Sequence, residues 1–521
     1  MSARFAVVNA GSELENLNSN RRTLGQLPGA VDPRRPAVWD HDGQWHNFGA
    51  LVHAITNRAD QLSSSVAGEP PPATIALVQP GGLSFIVDLF AIWRIGAAAA
   101  PVNPRLTHNE RATQITLAGA THVLHDDGLA PVHHDRAQSG DDLALVLTTS
   151  GTTGTPKPVT LHHANVLAGI DTVLRALRGG SAADTPDTVR PPVPNLVPVP
   201  LSLWAGIYQV LFAFRAGNPV VILDPFTTTG FAESVQRHGI KSTVLAPAMM
   251  AALNDDTAIT SLAPLRFIRS ITSPLSVSQA ERFHQRFGVT VLNSYGQTEL
   301  GGEVIGWTAA DTRAHGVAKL GSVGRPHPGV SAYVDDETGE LCVRAPSMID
   351  AATDAALAAR LTPDGHLRTG DIGRIDADGF VWLEGRVTDL INRGGLKVWP
   401  DDVEEVVRRH PAVADCAVVG VADDRLGQVP WAFVVPAPNP ATAPTSSSAP
   451  ENAVRLPLDE AALASHCRAS LAAYKVPVRF VAVPALPRND VGKVLRRELV
   501  PLDPTIRPDD PTRRSIRSTP A

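Results

Sequence analysis

The chain has 521 residues, beyond the ~100–200 of a typical domain, so two or more domains are expected, and a 43% hydrophobic content is enough for real cores. A net charge of −6 excludes a global basic field for nucleic acid. Cys342, Cys416 and Cys467 are too far apart for a disulfide framework or a zinc site, and point to a reducing, cytoplasmic compartment.

The N-terminal MSARFAVVNAGSELEN lacks the layout of a secretory leader, and residues 1–35 read as an irregular entry segment. Asn47 is placed to cap a helix with Leu51, Ile55, Ala59 and Leu62 on one face. A Ser/Gly/Pro linker over 63–72 leads to a strand at 74–78, a helix at 83–95 ended by Gly96, and a strand at 97–102. The stretch 85–102 is apolar but carries Asp88, Arg94 and Gly96, which argues against a membrane span. This βαβ rhythm implies a parallel sheet covered by helices. It returns with a helix at 166–177, strands at 196–199 and 219–223 with a helix between them, and a helix at 231–238. Strands follow at 242–245 and 266–270, then a helix at 278–287 and a strand at 290–292.

From about Val317 short strands and Gly/Asp turns suggest a β-rich subdomain. After Gly385-Arg386 a helix is expected over 401–410, with Val403, Val406 and Val407 inward, and strands over 413–421 and 429–435. The Pro/Ala/Ser-rich 436–457 reads as a disordered surface loop, and 501–521 as a disordered tail. The expected fold is α/β. A large N-terminal domain (1–385) carries helix-covered parallel sheets and the β-rich subdomain; a small, mobile α+β C-terminal domain spans 386–500.

The chemistry starts at LALVLTTSGTTGTPKPVTLHHAN, residues 143–165. An apolar strand, 143–147, breaks into Thr148, Thr149, Ser150, Gly151, Thr152, Thr153, Gly154 and Thr155, followed by Lys157. Small side chains and two glycines let a backbone wrap an anion with N–H groups and hydroxyls, and lysine adds a point charge. The spacing is not that of a Walker A loop, and a polar strand-to-helix linker is the plainer reading. Of 46 basic residues only six are lysine, and Lys157, Lys397 and Lys493 fall in motif segments. The pairs His133–His134 and His162–His163 lack ligand spacing.

Four more segments follow. They are Tyr295-Gly296-Gln297-Thr298-Glu299, Arg368-Thr369-Gly370-Asp371, Gly385-Arg386-Val387-Thr388-Asp389 with Asn392-Arg393-Gly394-Gly395-Leu396-Lys397, and Pro487-Arg488-Asn489-Asp490-Val491-Gly492-Lys493. In this order the five segments make the chain resemble the adenylate-forming superfamily, and within it the fatty- and aryl-acyl-CoA ligases, over roughly 36–500. The resemblance implies an enzyme that uses ATP, Mg²⁺ and coenzyme A. A carboxylate attacks the α-phosphate of ATP, anion against anion, so cations and N–H groups must gather there.

By resemblance, the 150–157 loop holds the β- and γ-phosphates, Thr298 touches the α-phosphate, and Glu299 is the Mg²⁺ ligand. Asp371 accepts from the ribose hydroxyls, Arg386 contacts the same ribose, and Tyr295 stacks near adenine. Lys493 bridges carboxylate and α-phosphate in a first pose; in a second, Gly394-Gly395 lines the pantetheine tunnel. Thr388 stands at the pivot, where relatives carry Asp or Lys. The acyl pocket is expected around Leu203, Trp204, Ile207, Tyr208, Ile271 and Thr272. Pro158 and Leu203 depart from the family pattern, and Ile271-Thr272 replaces a small-residue pair, which should narrow the pocket. No Asp lies in 201–206 to hold an α-amino group. The acid is therefore expected to be fatty or aromatic. Two other readings stay open: an acyl-AMP ligase that loads a carrier protein, and a catalytically silent adenylate- or acyl-binding protein. A homodimer is left open.

Overall fold

A computed structural model describes residues 23–40, 42–65, 74–125, 128–132, 142–149, 157–178, 192–271, 275, 277–351, 355–437, 457–488 and 493–500. Asn47 Oδ1 accepts from Ala50 N at 2.8 Å and opens the helix Phe48–Ser65, whose buried stripe is Phe48, Leu51, Ile55, Ala59 and Leu62. The helix Leu83–Arg94 is buried on most of its circumference, from Phe85 to Trp93. It crosses between the parallel strands Thr74–Leu77 and Ala98–Pro101. No helix among the described residues is long and apolar enough to cross a membrane.

A six-stranded sheet runs Gly128–Pro131, His122–His125, Thr74–Leu77, Ala98–Pro101, Leu143–Thr149, Lys157–His162. Its four inner strands are parallel and both edges antiparallel. A four-stranded sheet joins Trp45–Asn47, Pro36–Trp39, Val220–Ile222 and Asn195–Val197. A three-stranded parallel sheet, Ser242–Leu245, Phe267–Ser270 and Thr290–Asn293, delivers the chain to 271 and 294 at one end. The β-rich region is an antiparallel sheet in the order Ser331–Val334, Glu340–Arg344, Leu367–Ile375, Val381–Arg386.

The last sheet contains Leu396–Val398, Ile391–Arg393, Gly427–Pro436 and Val413–Asp423, with Arg479–Ala482 parallel to Gly427–Pro436. Its two longest strands alternate from Cys416 and Ala432 onward. Cys416, Val418, Ala432 and Val434 face one core, while Ala417, Val419, Phe433 and Val435 face another. The helix Pro400–Arg408 closes the first core with Val403 and Val407 buried, while Val406 is half-buried. Neither core contains a residue before Ile391.

The sequence reading carries the chain from the Thr/Gly stretch straight into a helix. The structure inserts a strand there, Lys157–His162, antiparallel to Leu143–Thr149, with Thr149 opposite Lys157. Val159 and Leu161 alternate inward from that strand, and the helix begins only at His163. His163 is buried; its Nδ1 accepts from Leu24 N at 3.2 Å and its ring meets Trp93 edge-on.

Candidate active site

Asp371 sits in the strand Leu367–Ile375, directly opposite Arg386 in the neighbouring strand. It is 5% exposed. Arg386 Nε donates to its Oδ1 at 2.7 Å. Tyr295 Oη at 2.7 Å and Gln297 Nε2 at 2.8 Å donate to its Oδ2. A buried carboxylate needs this compensation, and here a guanidinium, a phenol and an amide supply it. Burial, then the Asp371 charge, pushes the Tyr295 phenol well above its usual range, so it remains a donor. Burial works most strongly against the charge of Arg386, but Asp371, Tyr295 and Asp389 together outweigh it and the net shift is upward. Gly296 is exposed beside this cluster, and a Cβ there would collide with the Gly302 carbonyl of the paired strand.

Thr298 and Glu299 lie in the one-turn helix Thr298–Leu300. Ile349 N donates to Glu299 O at 3.0 Å and Ser347 Oγ to Leu300 O at 2.6 Å, which fix that turn. Arg360, not anticipated from sequence, donates to Glu299 Oε1 at 2.9 Å and to the Arg368 carbonyl at 3.1 Å. One guanidinium therefore ties the Glu299 turn to the strand of Asp371. Among the described residues no three His, Cys, Asp or Glu side chains gather as a metal cage. Glu299 is a single hard oxygen donor, and Mg²⁺ typically takes one or two carboxylates and completes its shell with substrate phosphates and water. The donor set fits a Mg²⁺ that arrives with ATP.

Thr149 ends its strand, and Lys157, exposed, opens the next one across from it. Ser150, Gly151, Thr152, Thr153, Gly154 and Thr155 lie outside the described residues, as does Thr272.

Leu203 stands at the N-cap of the helix Trp204–Arg215. Trp204 is half-buried and meets Tyr208 edge-on, with centroids 5.4 Å apart, and Ile207 is buried in the main core. The Tyr208 ring lies against Gly302, where a Cβ would come within 3.0 Å of Cε2. Its hydroxyl is buried without a partner among the described residues, and burial, then Glu303, pushes its pKa up. Ile271 is half-buried just beyond the strand Phe267–Ser270. From its sequence this region is expected to be apolar. The structure adds a charged trio beside it: Arg269 pairs with Glu303, and His327 Nε2 lies 2.9 Å from the same oxygen. Burial alone would raise Glu303, but Arg269 and His327 bring it down to about 2. Nothing local in the sequence marks these three, which lie in separate strands and loops.

Lys493 is half-buried, and burial and the nearby Arg386 lower its pKa. Asp389 and Asp371 pull the other way. Lys493 thus shares the electrostatic environment of the Asp371–Arg386 pair. Gly394 and Gly395 form an exposed turn with φ of 59° and 88°, between Ile391–Arg393 and Leu396–Val398. Thr388 is exposed in the one-turn helix Val387–Asp389.

The model of the AMP-binding enzyme family matches residues 28–140 and 126–350, and that of the AMP-binding enzyme C-terminal domain matches 402–493. The chain belongs to the AMP-binding enzyme family. It is an AMP-forming acid–CoA ligase of the adenylate-forming superfamily, working through an acyl-adenylate with ATP, Mg²⁺ and coenzyme A. A sulfoacetate–CoA ligase of Cupriavidus necator is 34% identical over 71% of this chain and 70% of its own. The 4-coumarate–CoA ligase-like 6 of Oryza sativa subsp. japonica is 30% identical over 91% of this chain and 85% of its own. In fold, this ligase is similar to o-succinylbenzoate CoA synthetase from Bacillus subtilis in complex with its acyl-adenylate, at a TM-score of 0.75 and 24% identity, covering 92% of this chain and 98% of that one.

Proposed function

We propose that this ligase activates a hydrophobic carboxylic acid, fatty or aromatic, and that Lys493 serves the first half-reaction alone. The observation that carries the reading is the sharing of one electrostatic environment by Lys493, Asp371 and Arg386 while the Gly394-Gly395 turn faces solvent. In the first step a substrate carboxylate oxygen bonds to the α-phosphorus of ATP and the bond to pyrophosphate breaks. Lys493 presents its ammonium to the two anions as they approach. Asp371 and Arg386 orient the ribose, Thr298 the α-phosphate, and the 150–157 loop the departing phosphates. Glu299 would hold the metal, which supplies charge neutralisation on those phosphates.

In the second step the coenzyme A thiol, losing its proton, attacks the acyl carbonyl and AMP leaves. Gly394-Gly395 would line the path of that thiol once the unit 386–500 has turned about Thr388 relative to 1–385. The separate cores after Ile391 support this division. The free, buried Cys342, Cys416 and Cys467 support a cytoplasmic setting.

The Trp204–Tyr208 wall and half-buried Ile271 support a hydrophobic acyl group. A carrier-protein acceptor is the second reading, favoured by a fatty acid–[acyl-carrier-protein] ligase of Streptomyces coeruleorubidus that is 27% identical over 90% of this chain. The test is a panel of sulfoacetate, 4-coumarate and C4–C16 fatty acids, assayed for pyrophosphate release alone, with coenzyme A and with a holo-acyl-carrier protein. The proposal expects 4-coumarate or a fatty acid to lead, with coenzyme A as acceptor. Preference for sulfoacetate overturns the substrate class; thioester on the carrier alone overturns the acceptor.

A further inference from the structure

Three residues beyond Lys493, Arg496 makes a set of contacts that the nucleotide site does not require. Its Nη2 donates to Glu404 Oε1 at 2.7 Å and to Asp401 Oδ1 at 2.9 Å, both on the helix Pro400–Arg408. Its Nη1 donates to Asp389 Oδ2 at 3.2 Å, in the turn that contains Thr388. Glu404 is itself immobilised. It is 4% exposed, its Oε1 also accepts from Val418 N at 2.8 Å, and its Oε2 accepts from Arg408 at 2.8 Å. Burial alone would raise Glu404, but Arg496 and Arg408 bring it down to about 2. Arg496 is therefore anchored to the core of the C-terminal sheet on one side and to the Thr388 turn on the other.

The chain between Lys493 and Arg496 has little freedom. Leu495 N donates to Pro487 O at 2.8 Å, and Arg488 and Val494 form an antiparallel bridge at the neck of the loop. An anchor at Arg496 thus fixes the C-terminal stem from which Lys493 projects. Asp389 acts twice: it accepts from Arg496, and its charge reaches Lys493. Mere stability of the C-terminal sheet calls for the Glu404 arm and not for the arm to the Thr388 turn.

We propose that Arg496 is a positioning residue for adenylate formation: by bridging Glu404 and Asp389 it locks the Lys493 stem to the Thr388 turn, and the thioester step does not need it. The inference rests on the reading of Lys493 as a residue of the first half-reaction. A planar guanidinium holds its carboxylate partners in one fixed fork geometry; an ammonium on a flexible stem does not fix them.

The test uses the full-length protein, ATP, and either 4-coumarate or octanoate, whichever the parent turns over faster. Pyrophosphate release reads the first half-reaction, and thioester formation from the supplied acyl-adenylate reads the second. Arg496→Lys should lower kcat for pyrophosphate release at least tenfold, with KM for ATP and the second half-reaction within twofold of the parent. Asp389→Asn removes the charge of the arm to the turn, and with it the Asp389 charge felt by Lys493, leaves the Glu404 pair intact, and should lower the same kcat at least threefold, again sparing the second half-reaction. Parallel loss of both half-reactions, or an unchanged first one, overturns the role of Arg496. Lys493→Ala, run alongside, separates the two ideas. If it leaves pyrophosphate release intact, the reading of Lys493 falls and this inference with it; if it abolishes release while both other variants behave as the parent, only the inference falls.

Discussion

Asp371 and Arg386 are cross-strand partners, with Arg386 Nε 2.7 Å from Asp371 Oδ1, and the opposite oxygen of the same carboxylate is taken by Tyr295 and Gln297. The carboxylate is thus oriented by donors from two neighbouring sheets. Such pre-organisation favours binding because less ordering remains to be done.

Asp371→Asn should weaken nucleotide binding. The amide keeps the shape but turns an acceptor into a donor and leaves Arg386 without its counter-charge. A hydrogen bond to a charged group contributes about 1.5–3 kcal/mol, so Kd for AMP by calorimetry should rise about ten- to a hundredfold. An unchanged Kd would remove Asp371 from the nucleotide site.

Both members of that pair are legible in the sequence as motif residues, but their pairing is not, because it depends on the register of a hairpin. The helix Phe48–Ser65 is legible because Asn47 and the spacing of four apolar residues agree. The helix His108–Leu117 is not anticipated. It has no buried residue and so no apolar stripe, and its one local signal is the capping box of Thr107 and Glu110. The strand Lys157–His162 hides behind Lys157-Pro158, residue types depleted in strands and tolerated here at a sheet edge. Arg360 escapes for another reason. Its partners are backbone carbonyls and a carboxylate far along the chain, and no short motif encodes them.

Arg360→Ala should release the Glu299 carboxylate from its guanidinium partner while leaving the carboxylate itself in place. Glu299→Gln should weaken the Mg²⁺ dependence of pyrophosphate release directly, since the amide lacks the charge a hard cation needs. The Mg²⁺ concentration for half-maximal rate should rise about tenfold or more in Glu299→Gln, equivalent to about 1.4 kcal/mol, and less in Arg360→Ala. A Mg²⁺ titration that superimposes on the parent's for Glu299→Gln excludes the metal role.

Ile271→Gly should admit longer or bulkier acids. Overfilling a confined apolar space typically costs ~1–3 kcal/mol, and removing the branched side chain should recover part of that for large substrates. The readout is kcat/KM across a chain-length series, with KM for ATP as the control for the neighbouring nucleotide site. A profile identical to the parent's places the acyl chain elsewhere.

Burial and Arg386 lower the pKa of Lys493, so its ammonium is lost at a lower pH than that of an ordinary lysine. Adenylate formation should therefore fall on the alkaline side before a free lysine would titrate. Thioester formation from supplied acyl-adenylate should not follow that limb. A pH–rate profile of each half-reaction separates the two, and a shared alkaline limb assigns the titration to another group.

The most direct measurement compares the two half-reactions in Lys493→Ala. Losing one transition-state cation from such a site should lower the rate of pyrophosphate release by about 10²–10³ while thioester formation from supplied acyl-adenylate proceeds at the parent's rate. Equal loss in both, or pyrophosphate release at the parent's rate, would contradict the assignment of Lys493 to the first step.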